Sequence, residues 1–394
     1  MKQVLQLSYY PALEVITGGE RRIEAMRSLI KKMGCKLLTY GVYYAYQNGP
    51  LGNSYIQLSR TESDWCFKNM AEWELRMTDV VLGNRRYKKK LESFLFSNKP
   101  DVVWFEHPYQ WLLLREYILN TNTPVVYDCH NIEWKLKESS FNKKSISVEK
   151  ALNRLFDIET ELITSADFTL CCTDSDAKWC QKIGGRGLLM PNGNSYPLKQ
   201  GTSHNWPKLK SLATDKIVIS YISAAHEPNW IGIKDLVLPI LKKLESKKSI
   251  QFILMGDIEH FFTEWEKANG KLNNVTCLGR ISEMTKSDVY KLSDMIVLPI
   301  TEGGGSNLKT AEALLTSKFV LATDMAFRGF EEYVQEAGVS VVNKGDFSKV
   351  FEEIILGGTI KKTYPERLQK VNACLWDSII EKAMNYTEIK RLLG

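Results

Sequence analysis

The residues best placed for chemistry run from Glu302 to Leu314, Glu-Gly-Gly-Gly-Ser-Asn-Leu-Lys-Thr-Ala-Glu-Ala-Leu. They follow an apolar, strand-like run, Met295 to Ile300, and turn into a helical pattern. Gly303, Gly304 and Gly305 let the backbone approach a ligand closely and adopt φ > 0. A helix starting near Ser306 offers unpaired N–H groups and the positive end of its dipole to an anion. Ser306 or Asn307 is the expected N-cap. Lys309 sits in the first turn, where the dipole favours an acid. A lysine there makes sense with a phosphate in front of it, so Gly303–Ser306 and Lys309 read as a socket for a phosphorylated small molecule. Glu312 lies three residues on, on the same helix face. The offset of about 4.5 Å along the axis would set Lys309 on a diphosphate and Glu312 on a ribose hydroxyl. The alternative is a surface salt bridge within one helix.

Other candidates are scattered. Gly18 and Gly19 follow the first strand candidate and precede Arg21 and Arg22, on a helical pattern ending near Met33. They read either as a phosphate-facing turn or as a glycine turn with a solvated helix start. His107 and His130 each follow a strand candidate, where ligands of open α/β sheets collect. Glu133 is expected to orient His130 or cap a helix. Glu302 either stabilises positive charge on a ligand or faces solvent. Asp174-Ser175-Asp176 reads as a helix cap rather than a metal site. No carboxylate cluster accompanies the glycine loop, so metal-independent chemistry without a cofactor is expected.

These residues need a frame. The 394 residues favour two domains, and 44% hydrophobic with 25% charged residues is ordinary globular composition. The net charge of +6 suits phosphates or anionic lipid but is too weak to argue for nucleic acid. Met1 to Tyr10 reads as a strand, without the apolar core and cleavage site of a signal peptide. No apolar run approaches the roughly 18 residues of a membrane span. Eight cysteines without CxxC spacing fit core positions in a reducing cytosol.

Short apolar runs alternate with helical patterns, as in doubly wound parallel sheets. The strand candidates are 3–7, 36–40, 102–105, 125–127, 168–172 and 188–190, then 217–222, 251–255, 275–278, 295–298, 319–322 and 339–342. The polar stretch Tyr196 to Pro207 is the linker candidate. The expected domains are therefore 1–197 and 198–374, with a helical tail 375–394 packing back on the first. Arg85-Arg86-Tyr87-Lys88-Lys89-Lys90 opens a basic amphipathic helix through Phe96. It is expected to pack on the first domain, with contact to anionic membrane as the alternative. Some of Trp65, Trp73, Trp104, Trp111, Trp134 and Trp179 are expected at a sugar-stacking site.

In this order the motifs resemble retaining glycosyltransferases of family 4 (glycosyl transferases group 1), which have the GT-B fold. Gly18-Gly19 looks like the family's N-terminal glycine loop, and Tyr127-Asp128-Cys129-His130-Asn131-Ile132-Glu133 like its His-Asn-x-Glu segment. Met190-Pro191-Asn192-Gly193 resembles the Pro-Asn-Gly that closes the first domain. Leu278-Gly279-Arg280-Ile281 resembles the loop that touches the base, and Leu308 to Leu314 the donor-binding helix. The resemblance implies two Rossmann-like domains facing each other across a cleft, with acceptor in the first and nucleotide sugar in the second. It implies donor contacts at Gly18, Gly19, Arg280, Ile281, Gly303, Gly304, Gly305, Ser306, Asn307, Leu308, Lys309 and Glu312. It places His107 toward the cleft as a catalytic candidate with Glu302, and His130 against sugar or acceptor.

Many members carry two glutamates separated by seven residues. Here Gly304 stands at the first of those positions, with Glu302 the nearest acid. The implied activity is retaining transfer of a sugar from a nucleoside-diphosphate donor to a glycan or glycolipid, in bacterial polysaccharide assembly. It would take place in the cytoplasm or at the inner face of the membrane. A nucleotide-sugar epimerase and a non-catalytic nucleotide-sugar-binding subunit are the alternatives.

Overall fold

The computed structural model describes residues 1–394 except 14–16, 48–54, 142–144, 248, 303–305 and 358–359. The glycines of the 303–305 loop therefore lie outside the described residues. The chain divides into two compact units, Met1–Pro191 with Ile379–Gly394, and Asn192–Ser378.

The first unit is built on seven parallel strands: β1 (Gln3–Ser8), β2 (Lys36–Tyr43), β3 (Ile56–Gln57), β4 (Val102–Phe105), β5 (Val125–Cys129), β6 (Phe168–Cys171) and β7 (Gly187–Leu189). Their order is β3-β2-β1-β4-β5-β6-β7. Every residue of β4 and β5 is buried, as both-face coverage by helices demands. The second unit has six parallel strands: β8 (Ile217–Ile222), β9 (Ile250–Met255), β10 (Val275–Cys277), β11 (Met295–Leu298), β12 (Phe319–Thr323) and β13 (Val339–Val342). Their order is β10-β9-β8-β11-β12-β13. Strand order reverses between β1 and β4, where Leu5 faces Val103, and between β8 and β11, where Ile219 faces Met295. Ligands of such sheets bind at these reversal points, beyond the strands' carboxyl ends.

Local detail departs from expectation at one helix cap and is finer than the sequence shows elsewhere. Two-residue β3 carries no readable period and pairs only at Val42–Ile56 and Tyr43–Gln57. The cap of the helix Asp174–Lys182 is Thr173, whose hydroxyl accepts from the Asp176 N–H, so Asp174 is the first helical residue. The tail forms two helices, Trp376–Ala383 and Thr387–Leu393, broken at Tyr386, whose hydroxyl donates to Leu189 O at 2.6 Å. Lys2 Nζ donates to Leu392 O at 2.9 Å, tying the chain end beside β1. The polar stretch 196–207 is strapped to the helix Glu283–Leu292, with Lys199 N–H on Ser287 Oγ and Ser203 N–H on Asp288 Oδ2, both at 2.7 Å.

After β8 the chain enters the helix Glu227–Gly232, followed by a wider π-type turn Ile233–Val237. Gly232 lies flat on the end of β11. A Cβ there would sit 1.7 Å from Pro299 O. Alanine normally gains about 1 kcal/mol over glycine inside a helix. Here Gly232→Ala is expected to destabilise the second unit by about 1–3 kcal/mol or more, because backbone must move. Denaturant unfolding checks the sign, and a stabilised variant would contradict the close contact.

Candidate functional site

In the second unit the helix Leu308–Leu315 starts beyond β11, at the reversal point. Asn307 is its N-cap, with its Oδ1 accepting from the Lys309 N–H at 3.1 Å. Ser306 Oγ is buried with no hydrogen-bond partner among the described residues. The half-buried Lys309 side chain reaches 80 positions back along the chain, donating from Nζ to Asn229 Oδ1 at 2.9 Å. Its ammonium also lies 5.8 Å from the centre of the Tyr221 ring, at the end of β8. Burial pushes its pKa down to about 8, partly offset by the charge of Glu312. The ammonium is thus held by a neutral amide and a ring, leaving it electrostatically available to an anion.

The ion pair within the helix that the spacing allows is not formed. Glu312, 7% exposed, pairs instead with Lys286 Nζ at 2.5 Å, and Lys286 is itself buried at 3%. That pairing fixes the carboxylate, which keeps capacity to accept further hydrogen bonds. Arg280 forms a forked pair with Asp257, Nε to Oδ1 at 3.0 Å and Nη2 to Oδ2 at 2.8 Å. The preceding Gly279 has φ +61°, and its carbonyl accepts from Gly256 N–H at 2.7 Å. This pins the Arg280–Ile281 loop to the end of β9, with Ile281 half-buried against the core. Glu302 is exposed.

In the first unit a charged cluster fills the reversal point. Arg22, read as part of a solvated helix start, is 1% exposed. Its Nη2 meets Asp128 Oδ1 at 2.6 Å, and its Nη1 donates to Met190 O at 3.0 Å. His130 Nε2 lies 3.0 Å from Glu106 Oε2 and 3.4 Å from Asp128 Oδ2. Glu106 also accepts from Gln6 Nε2 at 2.5 Å. Burial disfavours a charged His130, but its hydrogen bonds to Asp128 and Glu106 outweigh this and raise its pKa to about 9. Burial, and Asp128 close by, push the Glu106 carboxyl upward. Glu106, Asp128 and His130 present ligand atoms within 4.8 Å of one another, close enough for a cation. The set already balances, however: two carboxylates face the Arg22 guanidinium and a protonated His130.

His107 packs on this cluster, its ring centre 4.3 Å from that of His130 and 4.6 Å from that of Tyr9. Its Nδ1 is buried without a partner among the described residues, and burial followed by the charges of His130 and Arg22 holds its pKa well below the usual histidine value. His107 is therefore a neutral ring beside a charged one. Gly18 opens the helix Gly18–Lys32, capped by Thr17 in a reciprocal box with Glu20. A Cβ on Gly19 would lie 2.1 Å from the Tyr10 hydroxyl and 3.7 Å from His130 Nδ1, so this glycine permits the close approach of both. Glu133 neither touches His130 nor supplies the cap. It is the first residue of the helix Glu133–Ser140, and its Oε2 accepts from Tyr109 OH at 2.7 Å.

A cavity of about 660 Å³ opens beside Gly19, walled by Tyr9, Tyr10, Tyr44 and Trp73 with Thr17 and Glu20. Trp73 is thus the tryptophan that reaches this cavity, whereas Trp104 and Trp111 are fully buried in the core. Sequence reading did not find Asn229, Tyr221, Lys286, Glu106 or Asp128 as members of these clusters. Only Asp128, inside the quoted Tyr127–Glu133 segment, and Glu106, next to His107, carried a local signal.

No protein-family model matches the chain, and no curated protein matches it. Solved structures do. A sucrose-phosphate synthase from Thermosynechococcus elongatus aligns over 97% of each chain with a TM-score of 0.70 at 12% identity. An E. coli structure described as trehalose-6-phosphate bound with UDP-2-fluoro glucose aligns over 99% of each chain, with a TM-score of 0.70 at 14% identity. Anabaena HepE in complex with UDP aligns over 100% of this chain and 97% of its own, with a TM-score of 0.60 at 13% identity. At such identities the likeness establishes architecture: the chain has the GT-B fold, two Rossmann-like units each built on one parallel sheet.

Proposed function

We propose that the protein is a retaining glycosyltransferase. It moves a sugar from a nucleoside-diphosphate donor to a glycan or lipid-linked saccharide in bacterial polysaccharide synthesis. The observation that carries this reading is Lys309: a half-buried ammonium in the first turn of a helix, held by Asn229 and the Tyr221 ring, beside a Ser306 hydroxyl that has no partner among the described residues. That is an arrangement for a diphosphate. The UDP and UDP-sugar complexes among structures of this fold support it.

In this reading the second unit binds the donor. Helix N–H groups, Ser306, Asn307 and Lys309 take the diphosphate, together with the glycines 303–305. Glu312, steadied by Lys286, accepts from a ribose hydroxyl, and Arg280–Ile281 border the base. Charge building on the departing diphosphate is stabilised by dipoles and a cation already in place, which lowers the barrier electrostatically. The first unit takes the acceptor, with saccharide rings stacking on Tyr9, Tyr44 and Trp73, and Gly18–Gly19 offering helix-start N–H groups to phosphate. In this reading neutral His107 borders the sugar from beneath the cluster, and charged His130 donates to a sugar hydroxyl from Nδ1. Glu302 stabilises positive charge at the anomeric carbon. The balanced Arg22–Asp128–His130–Glu106 set fits chemistry without a metal. A cytoplasmic location and peripheral contact with anionic membrane belong to the same reading.

The test is incubation with a panel of UDP- and GDP-sugars, with and without saccharide acceptors. Acceptor-dependent release of nucleoside diphosphate, with an α product from an α donor, is expected. Donor isomerised without acceptor would make the protein an epimerase. Tight binding without turnover would make it a binding subunit.

A further inference from the structure

The helix Arg85–Asn98 gathers positive charge at its start, where five other helices of the first unit place an acid. Helices starting at Gly18, Arg60, Glu133, Ile146 and Asp174 each carry an acid in the first turn, as the dipole favours. This helix has none there, and opens with Arg85, Arg86, Lys88, Lys89 and Lys90 against the single acid Glu92. Lys90 covers the Tyr55 ring at 5.3 Å. Among the described residues the other four cations form no ion pair, and all four are exposed.

The same helix carries Phe96, 79% exposed. At 3.6 residues per turn, Arg85, Lys89, Glu92 and Phe96 fall within about 60° of arc. Beside that face runs a groove of about 620 Å³, floored by Leu91, Leu95, Leu112 and Leu113 and flanked by Lys88 and Phe96. On the neighbouring helix Trp111–Thr121, Leu119 is 60% exposed. Acids near the groove are Glu92, Glu116 and Glu161, the last paired with Arg115 at 2.5 Å. An apolar groove with unpaired cations on one side is complementary to a surface that offers acyl chains beneath anionic headgroups.

We infer that this face of the first unit docks on an anionic lipid bilayer, with Arg85, Lys88 and Lys89 at the headgroups and Phe96 in the acyl boundary. The inference deepens the peripheral-membrane part of the reading above and rests on it, but requires nothing of the transfer chemistry. The full chain is tested by flotation with phosphatidylcholine vesicles with and without phosphatidylglycerol. Binding is expected only with the anionic lipid, and is expected to weaken as salt rises. At about fivefold per charge near the surface, the triple variant Arg85→Gln/Lys88→Gln/Lys89→Gln is expected to partition roughly a hundredfold less. Phe96→Ser is expected to lose about tenfold. Because these residues are exposed, turnover on a soluble acceptor is expected to stay unchanged. Equal binding to neutral vesicles, no binding at all, or full binding by the triple variant would overturn the inference. So would a Phe96-dependent dimer of the chain in place of vesicle binding.

Discussion

Lys309→Ala is expected to weaken binding of a nucleoside-diphosphate sugar by about tenfold to a hundredfold, measured by calorimetry. The lost hydrogen bond is to a charged group, worth about 1.5–3 kcal/mol. The lysine is already stripped of much of its water in the free protein, with Asn229 as its hydrogen-bond partner at 2.9 Å. Binding therefore replaces an amide oxygen by a phosphate oxygen, with little further desolvation. The same burial gives the prediction a pH signature. The cation binds the donor, and its pKa lies at about 8 in the free protein. Affinity is full well below that value and falls as pH rises through it, to about a tenth of its pH 7 value by pH 9. The variant is expected to show no such fall. An unchanged affinity in Lys309→Ala, or a wild-type affinity flat across the window, would reduce Lys309 to a residue of local structure.

Arg22→Met is expected to destabilise the first unit by about 3–5 kcal/mol, the usual consequence of orphaning one partner of a buried ion pair. Asp128 is fully buried and Glu106 is too, so without Arg22 two carboxylates share His130. Thermal unfolding of that unit is expected on the order of 10 °C earlier. The double variant Arg22→Met/Asp128→Asn is expected to recover much of the loss, because no uncompensated charge remains. An unchanged midpoint in the single variant would mean that the pair is exposed to water rather than structural.

Much of this fold could be read along the chain. Short apolar runs declare themselves: β4, β8 and β11, buried along most of their length, and β13, half-buried throughout, begin and end where their apolar residues do. A glycine-rich loop at a strand end likewise exposed Asn307 and Lys309, since local spacing carries that signal. What local spacing cannot carry is a partner. Arg22 next to Arg21 looks like a solvated helix start, and only the reversal of strand order brings it to Asp128, 106 positions away. Asn229 meets Lys309 by the corresponding reversal in the second unit. Glu312 has a lysine three residues away on its own helix yet pairs with Lys286 on another, which also meets Glu283 at 2.9 Å, and no local spacing announces that contact. The cap at Thr173 escaped notice for a smaller reason. Asp, Ser and Thr are all good caps, and composition does not say which of a run takes the extended backbone.

The most direct test is a crystal of the protein soaked with UDP, and in parallel with GDP. Diphosphate density is expected at the start of the helix Leu308–Leu315, against the Asn307 and Lys309 main chain, with Lys309 Nζ turned from Asn229 onto a phosphate oxygen. A nucleotide bound elsewhere, or Lys309 still on Asn229 at saturating nucleotide with the helix start bare, would contradict that placement.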